Sequence, residues 1–533
     1  MLLLLSIATS QATSVGPAET LSWRLDQLTG LDDPADRFRH ARLRQEPRPD
    51  PDFATVVAVV DVWARPDDVL EAALALHPGI ELEARHGQLL QLRVPVEALV
   101  DLSMVGGVAR VREPDLPTSK AVVTEGKAEI FVNDWHASGV TGGGVLVGVL
   151  DVEFGGYESI LGTELPDSVA TTPGTLNTSG GTHGTAVAEI VHDIAPDADL
   201  HLYQFATEVE FYERCDQIVA DVVEVLNASI GFDNVWHADG TSPYTQTVEL
   251  VVDEGVTWVA ASGNEVGRYF IGEVGPADGD GFVTIDGELG VPMNNVMGEV
   301  PVSLRWSEAP DAASIDLDLY LYDENLELCG YSEEPQDGDD RPYEYAACDV
   351  GGSVIWAYVV VASGNPEGLT AYLYAPYFLA DSSWESVAST LTLPADSPSA
   401  ITVGAYELDT LEVASFSSQG PTDDGRTKPD LVAPSGVSTS TYGGAFDGTS
   451  ASAPHVAGVA ALIRERTYGS PGEIKRVLTN QAEDLGEAGL DNTYGHGAVR
   501  TRALPDPWCG CTSATGAGGA WLFALLLAWR RRS

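Results

Sequence analysis

Five short stretches of this chain are largely apolar: residues 145–151 (Val-Leu-Val-Gly-Val-Leu-Asp), 222–230, 256–261, 401–405 and 431–433. A strand with one wet face alternates polar and apolar residues, so a nearly continuous apolar run belongs to a strand covered on both sides. Helical patterns lie between some of these runs. Strands alternating with helices imply an α/β fold, a parallel sheet with helices on both faces.

Two regions depart from that rhythm. Residues 300–306, 315–322, 354–361 and 369–374 alternate polar and apolar side chains with no helix between them, which predicts antiparallel strands in a small inserted β-sandwich. Ahead of the main pattern, residues 54–113 read as strand, helix, two short strands divided by a turn at Gly87, helix and strand. Pro66 opens the first of those helices, as proline does at a first helical turn. The order β-α-β-β-α-β is ferredoxin-like, and residues 114–130 read as a linker.

Among the 533 residues, 80 acids stand against 28 bases for a formal net charge of −52. A partner rich in phosphate needs a basic stripe, so nucleic acid is excluded as a partner. Cys329 and Cys348 are close enough in sequence to bridge, whereas Cys215 reads as a buried apolar residue. The start, residues 1–12, is apolar and ends Ser10-Gln11-Ala12, a small-x-small pattern expected of a signal peptide. At the other end Cys509-Gly-Cys511 precedes an uncharged stretch over 512–529 and three arginines, Arg530 to Arg532. That stretch is near the ~17 residues needed to span a bilayer, and the arginines would hold the end on the cytoplasmic side.

Three segments carry chemistry, in the order Asp, His, Ser. Asp151 closes an apolar strand, where a carboxylate can receive an imidazole N–H and hold its tautomer. His183 sits in Gly181-Thr-His-Gly-Thr-Ala-Val-Ala188, flanked by residues small enough for a neighbour to approach. Ser450 stands between Gly448 and a helix of small residues in Phe446-Asp-Gly-Thr-Ser-Ala-Ser-Ala-Pro-His-Val-Ala-Gly458. A serine there gains the positive end of a helix dipole, and its own N–H can donate to an oxyanion. Taken singly, each reads as structural: a strand-terminal acid, a packed histidine, a capped helix. His192, His201, His455 and His496 keep that structural reading.

Together the segments resemble the subtilisin-like (subtilase) family, and their chain order is the subtilisin order of triad members. Ala260-Ala261-Ser262-Gly263-Asn264 resembles the family's oxyanion motif, with Asn264 as side-chain donor. Asn227-Ala-Ser229-Ile230-Gly231 resembles its substrate-pairing strand, and Lys428-Pro-Asp-Leu-Val-Ala-Pro434 is a further family-like stretch. The family usually follows its aspartate with Ser or Thr and then Gly. Here Val152-Glu153-Phe-Gly-Gly-Tyr157 follows, similar to the Asp-x-x-Phe-x-Gly-Tyr run of a subset.

The resemblance implies a serine endopeptidase with Asp151, His183 and Ser450 as triad. It places substrate along Ser229, Ile230 and Gly231 and beside Ala260, Ala261, Ser262 and Gly263. Small residues at Gly231 and 260–263 are expected to leave an open primary pocket. The implied layout is a signal peptide over 1–12 and an inhibitor-type propeptide over 13–117. A catalytic domain follows over 118–290 and 385–505, with an inserted sandwich over 291–384 and a myxobacterial-type sorting tail over 506–533. Partners are then protein or peptide substrates, the chain's own propeptide, and a membrane through the tail, in a secreted or surface-displayed protein. Asp278-Gly-Asp280-Gly281 resembles a fragment of a calcium loop but lacks its spaced ligands and final Glu, so no metal site and no cofactor is expected, calcium alone being left open. The rival reading is a catalytically silent surface binding protein that keeps the fold.

Overall fold

The computed structural model describes residues 55–503, apart from 113, 115–117, 120–124, 173–175, 177, 179, 295–297, 350–353, 377–383 and 443–444. The expected signal peptide and sorting tail lie outside the described residues. Among the described residues, no helix is long and apolar enough to cross a membrane.

The N-terminal unit comprises β1 (Thr55–Val62), α1 (Pro66–Leu76), β2 (Glu81–His86), β3 (Leu89–Pro95), α2 (Leu99–Ser103) and β4 (Val108–Arg112). Its antiparallel sheet has the order β2-β3-β1-β4. Period-two alternation splits β1 between two jobs: Ala58, Val60 and Val62 enter the unit's own core, while Val59 packs outward with Ala84 against Val209. A two-residue strand, β5 (Thr118–Ser119), follows.

The main domain then runs α3 (Val132–Ala137), β6 (Leu146–Asp151), β7 (Ala170–Thr171), α4 (His183–Ile194), β8 (Asp199–Gln204), α5 (Glu208–Ala220), β9 (Val225–Ala228), β10 (Ile230–Gly231), α6 (Pro243–Asp253) and β11 (Thr257–Ala261). After an insert of nine strands, β12 to β20, come β21 (Ile401–Glu407), β22 (Leu431–Ser435), α7 (Thr449–Thr467) and α8 (Pro471–Gln481). Seven parallel strands form the sheet, β22-β21-β11-β9-β6-β8-β7. The apolar runs are continuous because each strand buries both faces. Val147, Val149, Val259 and Ala261 face α4 and α7, while Leu150, Leu226, Trp258 and Ala260 face α5 and α6. The run expected over 222–230 is not one strand: Val222 has φ +58, and pairing breaks at Ser229 between β9 and β10.

The insert contributes β12 (Tyr269–Glu273), β13 (Phe282–Val283), β14 (Val291–Asn294), β15 (Glu299–Trp306), β16 (Asp316–Tyr322), β17 (Leu328–Ser332), β18 (Tyr343–Asp349), β19 (Val354–Ser363) and β20 (Thr370–Tyr374). One sheet has the order β12-β20-β15-β18; the other is β13-β19-β16-β17, with β14 also on β19. Their inner faces share a core that includes Val302, Leu304, Leu319 and Ile355. The sandwich begins earlier than the expected boundary at 291, since Tyr269 to Glu273 pair with Tyr374 to Thr370. Short β12 carries little alternation to announce itself, and only its long-range partner reveals it. Cys329 on β17 and Cys348 on β18 are disulfide-bonded across the two sheets with Cα atoms 5.2 Å apart. Cys215 is free and buried.

Candidate active site

In open α/β sheets, ligands collect outside the carboxyl ends of the strands where strand order reverses. Here β6 lies between β8 and β9, and Asp151 is its last residue. The carboxylate is fully buried: Oδ1 accepts the Val152 N–H at 2.8 Å, and Oδ2 lies 2.7 Å from His183 Nδ1. His183 is the first residue of α4 and is also buried. The following Gly184 permits this approach, because a Cβ there would fall 2.6 Å from the Asp151 Cβ. With Nδ1 engaged by the carboxylate, Nε2 is buried and, among the described residues, has no hydrogen-bond partner.

Gly448 precedes α7 with φ +140, a conformation that L side chains rarely adopt. Ser450 is the second residue of the helix, so its N–H is one of the donors that a first turn leaves unused. Pro454 lacks the N–H that would bond the Ser450 carbonyl four residues earlier. Ser229 Oγ donates to that carbonyl instead at 3.0 Å, and itself accepts from Asn227 Nδ2 at 2.9 Å. Ser450 Oγ donates to the Ser229 carbonyl at 3.2 Å and not to His183. The structure therefore brings Asp151 to His183, and Ser450 to Ser229, without closing the Ser450–His183 hydrogen bond.

Asn264 lies just beyond β11. Its Oδ1 accepts both the Thr449 N–H and the Thr449 hydroxyl, each at 2.9 Å. Thr449 Oγ1 in turn accepts the Gly263 N–H at 3.2 Å. A carbonyl oxygen held by two donors fixes the amide orientation, which leaves Nδ2 as the group free to donate to a bound oxyanion.

Two of the small residues expected to open a primary pocket have the space beside their Cα atoms filled. A Cβ on Gly231 would fall 1.9 Å from Thr392 Oγ1, and one on Gly263 would fall 2.8 Å from Ser418 Oγ. Thr392 and Ser418 thus occupy the space that small residues suggested was empty. Ile230, Ala260, Ala261 and Ser262 are buried as well, with Ser262 Oγ donating to the Ser418 carbonyl at 3.1 Å. Along the outer edge, β5 pairs antiparallel with β10: Ser119 opposes Ile230 and Thr118 opposes Gly231. From Thr118 to Ser119 the paired chain therefore advances toward Ser229.

Glu153 accepts the Gly184 N–H through its backbone carbonyl at 2.9 Å, and its carboxylate crowds Gly181, where a Cβ would fall 2.2 Å away. Burial foremost, then the charges of Glu153 and Asp151, push the Tyr442 phenol up to about 12. The Tyr442 ring lies tilted against that of Phe446, which lies 5.6 Å from that of His183. His455, read as structural, donates from Nδ1 to the Ala451 carbonyl at 2.7 Å, and burial lowers its pKa to about 4. Asp278 Oδ1 accepts the N–H groups of Asp280 and Phe282, a polar turn. Thr449, Ser418, Thr392 and Glu265 were missed by sequence reasoning. Thr449 stood inside the serine motif and was legible there; the others have no local signal.

Residues 330–497 match the Subtilase family, a span that includes Ser450 but neither Asp151 nor His183. Bacillopeptidase F of Bacillus subtilis (strain 168) is 37% identical over 116 residues, covering 20% of this chain and 8% of that protein. Subtilisin BL of Lederbergia lenta is 37% identical over 126 residues, covering 23% of this chain and 43% of that protein. The chain thus spans less than half the length of either relative. The solved structure of the Clostridium perfringens CspB protease superposes with a TM-score of 0.51 at 19% identity, covering 69% of this chain and 95% of that one, which establishes the likeness of fold.

Proposed function

We propose that this chain, which matches the Subtilase family over residues 330–497, is a secreted or cell-surface serine endopeptidase that cleaves proteins or peptides through an acyl-enzyme on Ser450. The observation that carries this reading is the buried Asp151–His183 pair, which leaves Nε2 as the one unengaged nitrogen of the imidazole. Rotation of Ser450 Oγ from the Ser229 carbonyl to Nε2 completes the relay. His183 then takes the hydroxyl proton as the oxygen attacks the peptide carbonyl, and later returns it to the leaving amine. Asp151 holds the imidazole tautomer and stabilises the imidazolium. The Ser450 N–H and Asn264 Nδ2 receive the oxyanion, and substrate adds as an extended strand along Ser229 to Gly231.

In the same reading, residues 13–117 act as an intramolecular inhibitor. The N-terminal unit docks on α5 through Val59 and Ala84, through an ion pair between half-buried Arg112 and buried Glu208, and through His86 and Asp216, 3.1 Å apart. Its continuation, β5, occupies the edge of β10 where a substrate strand would lie. The C-terminal segment over 506–533 serves as a sorting or membrane tail, displaying the enzyme at the surface.

Casein hydrolysis by wild type and Ser450→Ala, with fluorophosphonate labelling of each, tests the assignment. Wild type should hydrolyse and label at Ser450, and the variant should do neither while remaining folded. Undiminished hydrolysis by a folded Ser450→Ala protein refutes it. An inert wild type that takes no label makes the chain a silent binding protein.

A further inference from the structure

Glu265 follows the oxyanion donor and is fully buried, although the reaction described above uses no carboxylate there. A buried carboxylate is costly unless it is well hydrogen-bonded, and this one is held on every side. Its Oε1 accepts the Asn264 N–H at 3.1 Å, and its own N–H donates to Ser418 Oγ at 2.9 Å. Its Oε2 lies 3.3 Å from Arg268 Nη1 and accepts the Tyr374 hydroxyl at 2.9 Å. Tyr374 is the last residue of β20, so this contact comes from the inserted sandwich.

The same hydroxyl lies 3.2 Å from Asp233 Oδ2, and Asp233 Oδ1 accepts the Thr392 hydroxyl at 2.7 Å. Asp233 is two residues past β10, the strand at the substrate edge. One phenol therefore ties the segment after β11, which carries Asn264, to the segment after β10. Burial above all, then the charges of Asp233 and Glu265, hold that phenol well above its ordinary pKa, so it stays a donor. The sandwich is clasped to the same region a second time. Arg305 of β15 lies 2.9 Å from Asp423, donates to Asn234 Oδ1 at 3.2 Å and covers the Tyr372 ring at 3.7 Å.

We propose that Tyr374 is a positioning residue for the oxyanion donor: through Glu265 it holds the Asn264 peptide, so the inserted sandwich is a working part of the catalytic apparatus. This inference rests on the peptidase reading. Asn264 cannot shift without breaking the Glu265 bond, and Glu265 cannot shift without leaving the Tyr374 hydroxyl. Charge-assisted hydrogen bonds of this kind are short and directional. Tyr374→Phe removes a single oxygen and keeps the ring, which packs 4.9 Å from that of Tyr269.

The test is a double-mutant cycle on active-site-titrated enzyme with a chromogenic peptide. Tyr374→Phe should lower kcat about fivefold, about 1 kcal/mol, with KM changed by less than about twofold. In an Asn264→Ala background the same substitution should change kcat by less than about twofold, because the donor it positions is gone. Equal losses in the two backgrounds mean that Tyr374 acts on the fold at large and overturn the inference alone, as does a loss confined to KM. Wild type that neither hydrolyses peptide nor labels at Ser450 overturns the peptidase reading and this inference together. If Tyr374→Phe is not recovered folded, Glu265→Gln passes through the same cycle: coupling to Asn264 supports the inference, and additivity refutes it.

Discussion

Replacing Asn264 with alanine removes two groups whose roles the structure separates. The oxygen Oδ1 serves the fold, since it accepts the N–H and the hydroxyl of fully buried Thr449, each at 2.9 Å. The nitrogen Nδ2 is the oxyanion donor of the proposed reaction. Losing such a donor costs about 2.7–4 kcal/mol of transition-state stabilisation, roughly 100- to 1,000-fold in kcat. Losing the acceptor strands a buried N–H and should cost about 1–3 kcal/mol of stability. Asn264→Asp distinguishes the two, because it keeps an acceptor for Thr449 and removes the donor. Both variants should lose kcat with little change in KM, and only alanine should pay the full stability loss. Hydrolysis of a peptide anilide gives the kinetic half. Urea unfolding in a Ser450→Ala background, where self-digestion is absent, gives the other. A rise in KM at constant kcat would mean that Asn264 merely holds substrate, and equal stability of the Ala variant and its parent would refute the account of Thr449.

Three further outcomes are expected. The Asp423 carboxyl is buried, which alone would raise its pKa, yet Arg305 and His237 bring it well below the usual carboxylate range. A depressed pKa contributes stability that is present above the unfolded value of about 3.9 and is lost as pH falls toward the folded value. Arg305→Met should therefore destabilise by about 3–5 kcal/mol at pH 7 and flatten the acid limb of the unfolding midpoint; an unchanged limb would count against the pair. The Cys329–Cys348 bridge closes a loop with a sequence separation of 19, and Cys329→Ala/Cys348→Ala should cost the sandwich about 3 kcal/mol, read by denaturant unfolding, with no change refuting it. Because β5 advances along β10 toward Ser229, mass spectrometry of the expressed protein should find a new N-terminus between about 113 and 130, absent from Ser450→Ala; equal trimming of that variant would assign the cut to another protease.

The local code carried a good deal of this protein. Buried parallel strands leave apolar runs because both faces are covered, so residues 145–151 and 256–261 announced the sheet. Gly448 and Gly184 were legible as well: a backbone at φ +140, or a Cα pressed against Asp151, admits no side chain. His183 and Ser450 stood out because each has small neighbours nearby in sequence, and Asp151 because it closes an apolar strand. Tertiary structure alone decided what fills the spaces around them. Thr392 enters beside Gly231 from a segment 161 positions later, Ser229 reaches the Ser450 carbonyl across 221 positions, and Tyr374 reaches Glu265 across 109. Sequence periodicity reports which face of an element is covered but not which partner covers it. That is why small residues do not reveal that Thr392 and Ser418 fill the space beside Gly231 and Gly263, and why the short β12 reads with the main domain although it pairs with β20 of the sandwich.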